Sequence, residues 1–385
     1  MDEESGAGPA AAVRLVEAAV ESRIVSAAVL AVGRGAGDDG DLYVFGRTRL
    51  DSEGSAVTAD TLFDLASLTK VVATAPAVLR LADAGELGLD DPVARYLPAY
   101  SDGPKADVTL RHLLTHSSGL PPHRWFHEMP GPVGQRLAAA AKEPLTAAPG
   151  TQVVYSDIGY ILLGAIIAQV AGVGLDQAAR ELVFEPLGLK STGYLPSAPP
   201  ERFAATEIRP ETGEPVIGTV HDENAEALGG VAGHAGVFST VGDMVRYLRV
   251  GWLDQDCTFL SERSRAAALA CGTEGLDGRR GLGWTLAGDR WDHMTAAWPR
   301  TRAGHTGFTG TSLALDPAGG LWTVLLTNAV HLGRDHSGIA LLRRTVHAAV
   351  AAWAETLGPG PAADPADARD GAAAGYDQPV RIQGD

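Results

Sequence analysis

A chain of 385 residues, 45% hydrophobic and 20% charged, is long enough to bury a large core or two lobes, and ordinary enough to be globular. Its formal charge of −16 argues against nucleic acid or an anionic membrane as partner, since both need basic patches; a small-molecule substrate fits better. The two cysteines, Cys257 and Cys271, form neither a disulfide framework nor a metal-ligand spacing, and are expected to be packing residues.

The acidic start, Met1-Asp2-Glu3-Glu4-Ser5, lacks the basic and continuously apolar regions of a signal peptide, so a cytoplasmic protein is expected. Residues 9–22 have helical periodicity, with Val13, Leu15, Val16 and Val20 on or near one face. Ser26–Val32 and Asp41–Arg47 are β-rich runs separated by a Gly/Asp cluster, which predicts two strands joined by a hairpin loop. Next comes Phe63-Asp64-Leu65-Ala66-Ser67-Leu68-Thr69-Lys70, running into an apolar stretch that stops at Ala84-Gly85 and is expected to be one helix opened by Ser67. Positions three apart share a helix face, so the Ser67 hydroxyl and the Lys70 amine are expected to meet. Of 31 basic side chains only four are lysines (Lys70, Lys105, Lys142 and Lys190), and Lys70 heads an almost wholly apolar helix, where a lysine is rare unless it is paired or functional.

Thr109–His116 reads as a short helix capped by Thr109. His112 and His116 are four apart, but no glutamate lies between them in a metalloprotease pattern and no third ligand is evident, so no metal is expected. Helices are predicted at 131–147, 158–172, 176–183 and 240–253; the most apolar of them, Ile158–Val173, contains Gly159, Tyr160, Gly164 and Gln169 and is expected to be a core helix rather than a membrane span. Just before it, Tyr155 lies at a loop-to-helix boundary from which a phenol can enter a cleft, although a packing tyrosine would look the same. Strands return at Gly281–Leu286, Gly310–Asp316 and Leu321–Asn328, and a helix over about Asp335–Ala354 closes the fold. The segment Ala303-Gly304-His305-Thr306-Gly307-Phe308-Thr309-Gly310 reads as a glycine-punctuated approach to a strand, where small residues let a substrate come close to the backbone. Leu228–Thr240, also glycine-rich, lacks the ending of a phosphate loop and is expected to pack along the cleft and lead into a helix capped by Ser239 or Thr240. From residue 358 to 385 the chain is mainly Gly, Pro, Ala and Asp and is expected to be a disordered tail.

Strands at both ends with helices between them predict an α/β (α+β) fold: an antiparallel sheet from N- and C-terminal segments, flanked by helices, with a mainly helical lobe inserted. The expected extents are a single catalytic domain over 9–357, its α/β lobe about 9–64 and 275–357 and its helical lobe about 65–274, with the active cleft between them.

Ser-x-x-Lys at Ser67–Lys70, Tyr155-Ser156-Asp157, and His305-Thr306-Gly307, in this order, resemble the serine β-lactamase and penicillin-binding-protein superfamily. The similarity is to its class C β-lactamase-like branch, which includes D-aminopeptidases, D-Ala-D-Ala carboxypeptidases and family VIII esterases. Leu81–Leu87, Leu113–Leu120 and Gly233–Thr240 resemble the same branch, and the likeness runs over roughly residues 10–355. The resemblance implies that Ser67 attacks a carbonyl, that Lys70 and Tyr155 manage its proton, and that the oxyanion lies between the N–H groups of Ser67 and Phe308. It places Asp157, His305, Thr306, Gly307 and Phe308 around the substrate and implies no cofactor. The family's β-lactamases have Asn at the position of Asp157 and Lys at that of His305; both departures bear on substrate choice and neither removes the nucleophile. Hydrolysis of an ester or amide is the leading expectation, transacylation to an amine or alcohol the alternative, and a sensor that stays acylated the third.

Overall fold

The computed structural model describes residues 9–335 and 337–358. Helix α1 (Ala10–Glu21) precedes the hairpin β1 (Ala27–Arg34) and β2 (Asp41–Gly46), whose register pairs Ala27 with Gly46 and Val32 with Asp41. The rest of the main sheet comes from the far end of the chain: β6 (Thr285–Leu286), β7 (Ala303–Thr306), β8 (Ser312–Leu315) and β9 (Leu321–Thr327). The order is β2-β1-β9-β8-β7-β6, antiparallel throughout, so the first strand pairs with the last across some 300 residues of chain.

Because strand side chains alternate, β1 serves two cores. Ala28, Leu30 and Val32 pack in one with Ala12 and Val16 of α1 and Ile339, Val346 and Val350 of the closing helix α11 (Ser337–Thr356). Ala27, Val29 and Ala31 face the other, larger core shared with the inserted lobe.

That lobe lies between β2 and β6 and is mainly helical. It holds α2 (Ala75–Asp83), α3 (Leu110–Leu114), α4 (Val133–Lys142), α5 (Asp157–Ala171), α6 (Leu175–Ala179), α7 (Glu185–Leu187), α8 (Glu223–Ala227), α9 (Val241–Leu248) and α10 (Glu262–Leu269). Its axis is α5, buried along most of its length. Taken singly, no described helix is long and apolar enough to cross a membrane. Two features were not expected: α10, and a second, three-stranded sheet, β3 (Phe63–Asp64), β5 (Val237–Ser239) and β4 (Gly193–Tyr194) in the order β3-β5-β4.

Several expected elements are altered. The helix expected from Ser67 is a 3-10 turn over Ala66–Leu68, a π turn over Lys70–Thr74, and only then α2. Pro76 has no N–H, and the Tyr247 hydroxyl donates to the Val71 carbonyl five residues before it. The helix expected over 131–147 shrinks to Val133–Lys142, because Pro144 forces Glu143 into an extended conformation. The strand expected at Gly281–Leu286 is only Thr285–Leu286; the Gly281 N–H bonds the Trp284 carbonyl and Gly283 has φ 92°, so its first half is a tight turn. Val237–Ser239, expected as loop, is a strand, and Thr240 caps the helix after it through the Asp243 N–H. Residues 359–385, the expected tail, lie outside the described residues.

The first and last strands in chain order, the neighbours β1 and β9, are locked by Asn328, which is fully buried. Its Oδ1 accepts from the N–H groups of Ser26 (3.3 Å) and Ala27 (2.8 Å), and its Nδ2 donates to the Ala205 carbonyl (2.8 Å). Asn328→Ala leaves these groups buried without partners and is expected to cost about 3 kcal/mol, as two or more unsatisfied polar groups at 1–3 kcal/mol each. Urea unfolding checks this; a loss under about 1 kcal/mol would show that water replaces the amide.

Candidate active site

Ser67 is presented on a backbone held out of its ordinary range. Ala66, just before it, has φ 46°, a left-handed conformation that costs a residue bearing a Cβ roughly 1–2 kcal/mol. Asp64 holds it there: one carboxylate oxygen accepts from the Ala66 N–H (2.8 Å) and the other from the His221 N–H (2.7 Å). Burial pushes the Asp64 carboxyl up, against these hydrogen bonds. The two carbonyls before Ala66 are taken by the turn between β7 and β8, Asp64 O by the Thr309 hydroxyl (2.7 Å) and Leu65 O by that of Thr311 (3.2 Å). The nucleophile segment is thereby fastened to the Gly307–Thr311 turn after β7.

Lys70 is completely buried. Its ammonium donates to Ser67 Oγ at 2.9 Å and to the His234 carbonyl at 3.2 Å, and forms an ion pair with Asp157, whose Oδ1 lies 2.8 Å away. Burial pulls the ammonium down, but the Asp157 charge and the Tyr155 phenol outweigh it and hold Lys70 above the ordinary lysine value. On the other side, burial raises Asp157, and the Lys70 charge together with the His123 ring, 3.6 Å away, brings it well below the carboxylate range. Lys70 is therefore an ammonium in the free protein. The His234 carbonyl reaches it because the preceding Gly233 has no side chain; a Cβ there would lie 2.0 Å from the Tyr160 carbonyl oxygen.

Tyr155 stands just ahead of α5, whose N-cap Ser156 accepts from the Gly159 N–H and donates to the Pro121 carbonyl (2.7 Å). Its ring is packed between the His116 ring (4.4 Å between centroids) and the Arg280 guanidinium (5.7 Å), with the Lys70 ammonium 4.9 Å from its centroid. His116 accepts the Ser156 N–H on Nδ1 (3.0 Å), and His112 accepts the Thr109 N–H in the cap of α3. Each histidine thus holds a different backbone element, and among the described residues no cluster of three His, Cys, Asp or Glu could hold a metal.

His305 and Thr306 belong to β7 itself. This strand is not at the sheet edge, since β6 lies beyond it; but β6 pairs only with Ala303 and Gly304, so the backbone at His305 and Thr306 has no strand partner on that side. His305 is buried and bonds its own chain, Nδ1 to the Thr306 carbonyl at 2.9 Å. Burial, then the charges of Lys70 and Arg280, keep it well below the ordinary histidine range, so it is neutral. Gly307 is required by packing, since a Cβ would lie 2.4 Å from the Leu65 carbonyl oxygen. Phe308 is exposed and stacks on His221.

Ser67, Tyr155, His305, Thr306, Gly307 and Phe308 open onto one cavity of about 500 Å³, a size suited to a small acyl group and its leaving group. Arg280, Arg290, Arg343 and Arg344 also reach its wall. Sequence reasoning missed Asp64, His123, His234 and these arginines as members of the site. Asp64 and His234 lie inside stretches singled out for other reasons, whereas nothing in the local sequence marks Arg280 or Arg343.

The profile of one family, described as Beta-lactamase, matches residues 12–348. A protein of Escherichia coli strain K12 named "Putative D-alanyl-D-alanine carboxypeptidase" is 37% identical over 309 residues, 71% of this chain and 70% of that protein. Of solved structures, EstCE1, described as a hydrolase with promiscuous acyltransferase activity, superimposes with a TM-score of 0.66 at 25% identity, covering 87% of this chain and 98% of its own. A class C beta lactamase from Rhodobacter sphaeroides does so with the same score and identity, covering 88% and 98%.

Proposed function

The chain belongs to the beta-lactamase family of serine enzymes and has its fold, and from that premise we propose that it cleaves an ester or amide of a small molecule through an acyl-enzyme on Ser67. The observation that carries this reading is the buried Lys70 ammonium, which donates to Ser67 Oγ and is ion-paired with Asp157 beside the phenol of Tyr155. Ser67 Oγ bonds to the substrate carbonyl carbon while its proton passes by way of Tyr155 to the leaving group, and the bond from carbonyl carbon to leaving group breaks. Lys70, being protonated already, does not take that proton; it stabilises the negative charge developing on Oγ. The carbonyl oxygen is received by the N–H groups of Ser67 and Phe308. Water then completes the turnover: its oxygen bonds to the acyl carbon while its proton passes by way of Tyr155 to Oγ, and the Oγ–carbon bond breaks to release the acid.

Transacylation is the second reading, favoured by the likeness to EstCE1, whose description includes acyltransferase activity. Intact-mass spectrometry after mixing with p-nitrophenyl esters and β-lactams, with and without an amine, separates the outcomes. The expected result is an adduct of one acyl group that decays in water. Faster decay with an amine, yielding amide, would assign transfer; an adduct that persists for hours would replace turnover by sensing, and no adduct from any donor would overturn the acyl-enzyme reading.

A further inference from the structure

Arg343 is a buried cation without an anion. It projects from α11, is 8% exposed, and burial pushes its guanidinium down to about 9 with no carboxylate among the described residues to offset the cost. One nitrogen, Nη2, donates to two carbonyls, Gly307 O at 2.5 Å and Thr311 O at 2.8 Å, while Nε has no partner among the described residues. Those two residues are the ends of the turn after β7, already closed by the Gly307 N–H to the Thr311 carbonyl (2.8 Å) and the Gly310 N–H to the Gly307 carbonyl (3.1 Å). A turn with these bonds, and with Thr309 and Thr311 tied to the nucleophile segment, has its shape without a cation. Burying an unpaired guanidinium merely to close it would be an expensive choice.

The Gly307 carbonyl and the Phe308 N–H belong to one peptide unit. No described peptide is cis, so the two groups point in opposite directions across the same plane. A positive charge 2.5 Å from the carbonyl oxygen draws electron density along the amide and leaves the N–H more positive. It also fixes the plane, and therefore the direction in which the N–H points. We infer that Arg343 is a positioning residue for the oxyanion site: by holding the Gly307 carbonyl from behind, it aims and polarises the Phe308 N–H for the negative oxygen of the tetrahedral intermediate. This rests on the reading of Ser67 as nucleophile and of Phe308 as an oxyanion donor. Its effect falls on the transition state, where the oxygen is charged, and scarcely on the neutral substrate.

The test uses the full chain, p-nitrophenyl butyrate as acyl donor and phenylboronic acid as a tetrahedral mimic on Ser67, with rates expressed per boronate-titrated site so that misfolded protein is not counted. Removal of one oxyanion donor costs other serine enzymes about 100- to 1,000-fold, and here the donor stays while its polarisation is lost. Arg343→Gln is therefore expected to lower the acylation rate constant by about 10- to 100-fold with KM changed by less than about threefold, and to weaken phenylboronic acid by the same factor. Arg343→Lys, which keeps a cation able to reach the carbonyl, is expected to recover most of the loss, and millimolar guanidinium to restore part of the activity of Arg343→Ala. A purely structural clip would change KM and the folded fraction and would not distinguish Lys from Gln. Acylation per site within threefold of wild type in Arg343→Gln, unchanged boronate affinity, or a Lys variant no better than Gln would each overturn the inference while leaving the Ser67 reading intact. Absence of any Ser67 adduct in the wild type would instead bring down the parent reading and this inference with it.

Discussion

Ser67→Ala is expected to abolish labelling by active-site serine reagents and to lower kcat/KM for an activated ester on the order of 10⁴-fold or more, the scale seen when a nucleophile is removed from a serine enzyme. The fold should survive. Ser67 is only partly buried, and its loss leaves the Lys70 ammonium with the His234 carbonyl as acceptor and Asp157 as ion-pair partner. Lys70→Ala and Tyr155→Phe should each slow acylation strongly, by about 10²-fold or more, as loss of positioned proton-transfer groups does. Their double mutant should lose far less than the product of the two factors, because Lys70, Tyr155 and Ser67 form one device in which each group works through the others. Multiplicative losses would make Tyr155 a packing residue between His116 and Arg280. Labelling that persists in Ser67→Ala would place the nucleophile elsewhere.

The parts of this site that can be read from the chain are those set by short-range spacing. Ser67 and Lys70 are three apart, and although the helix expected between them is a 3-10 turn followed by a π turn, either geometry brings their polar atoms together. Tyr155 was legible as the residue before a capped apolar helix. What could not be read is what long-range pairing assembles. The bond of Asp64 to the Ala66 N–H is local, but the His221 N–H that holds its other oxygen comes from 157 residues away, and β3 and β5, strands of two and three residues, are too short to show alternation. Arg343 has the same sequence surroundings as any helix arginine; its meaning comes from the Gly307–Thr311 turn packed against it. The main sheet was legible because β1 and β9 are eight and seven residues of nearly continuous apolar side chains, the pattern of strands covered on both faces.

Asp157→Ala is expected to destabilise the protein by about 3 kcal/mol at pH 6, the lower end for removing one member of a buried ion pair, since the carboxylate is itself about one-fifth exposed. The pH dependence follows from the two shifts. In the wild type Asp157 is held below its ordinary value, so its contribution is complete above about pH 4, where the unfolded carboxyl titrates, and is lost as pH falls through the native value. Lys70 is held above 10.5, so its contribution is complete below that pH and is lost as pH rises through the native value. The pair is accordingly fully charged and constant between about pH 5 and 9. Once Asp157 is removed, burial dominates and brings Lys70 below 10.5. Between the lowered native value and 10.5 the unfolded chain binds more protons than the native one, and stability of the variant rises with pH. The difference between variant and wild type should therefore shrink from pH 6 to pH 9.5. Urea unfolding at pH 6, 8 and 9.5 measures it. A penalty that stays constant over this range would mean that the variant's Lys70 remains an ammonium, held by Ser67, the His234 carbonyl and the Tyr155 phenol alone. A penalty under about 1 kcal/mol at pH 6 would mean that water reaches the ammonium and that Asp157 does not fix its charge.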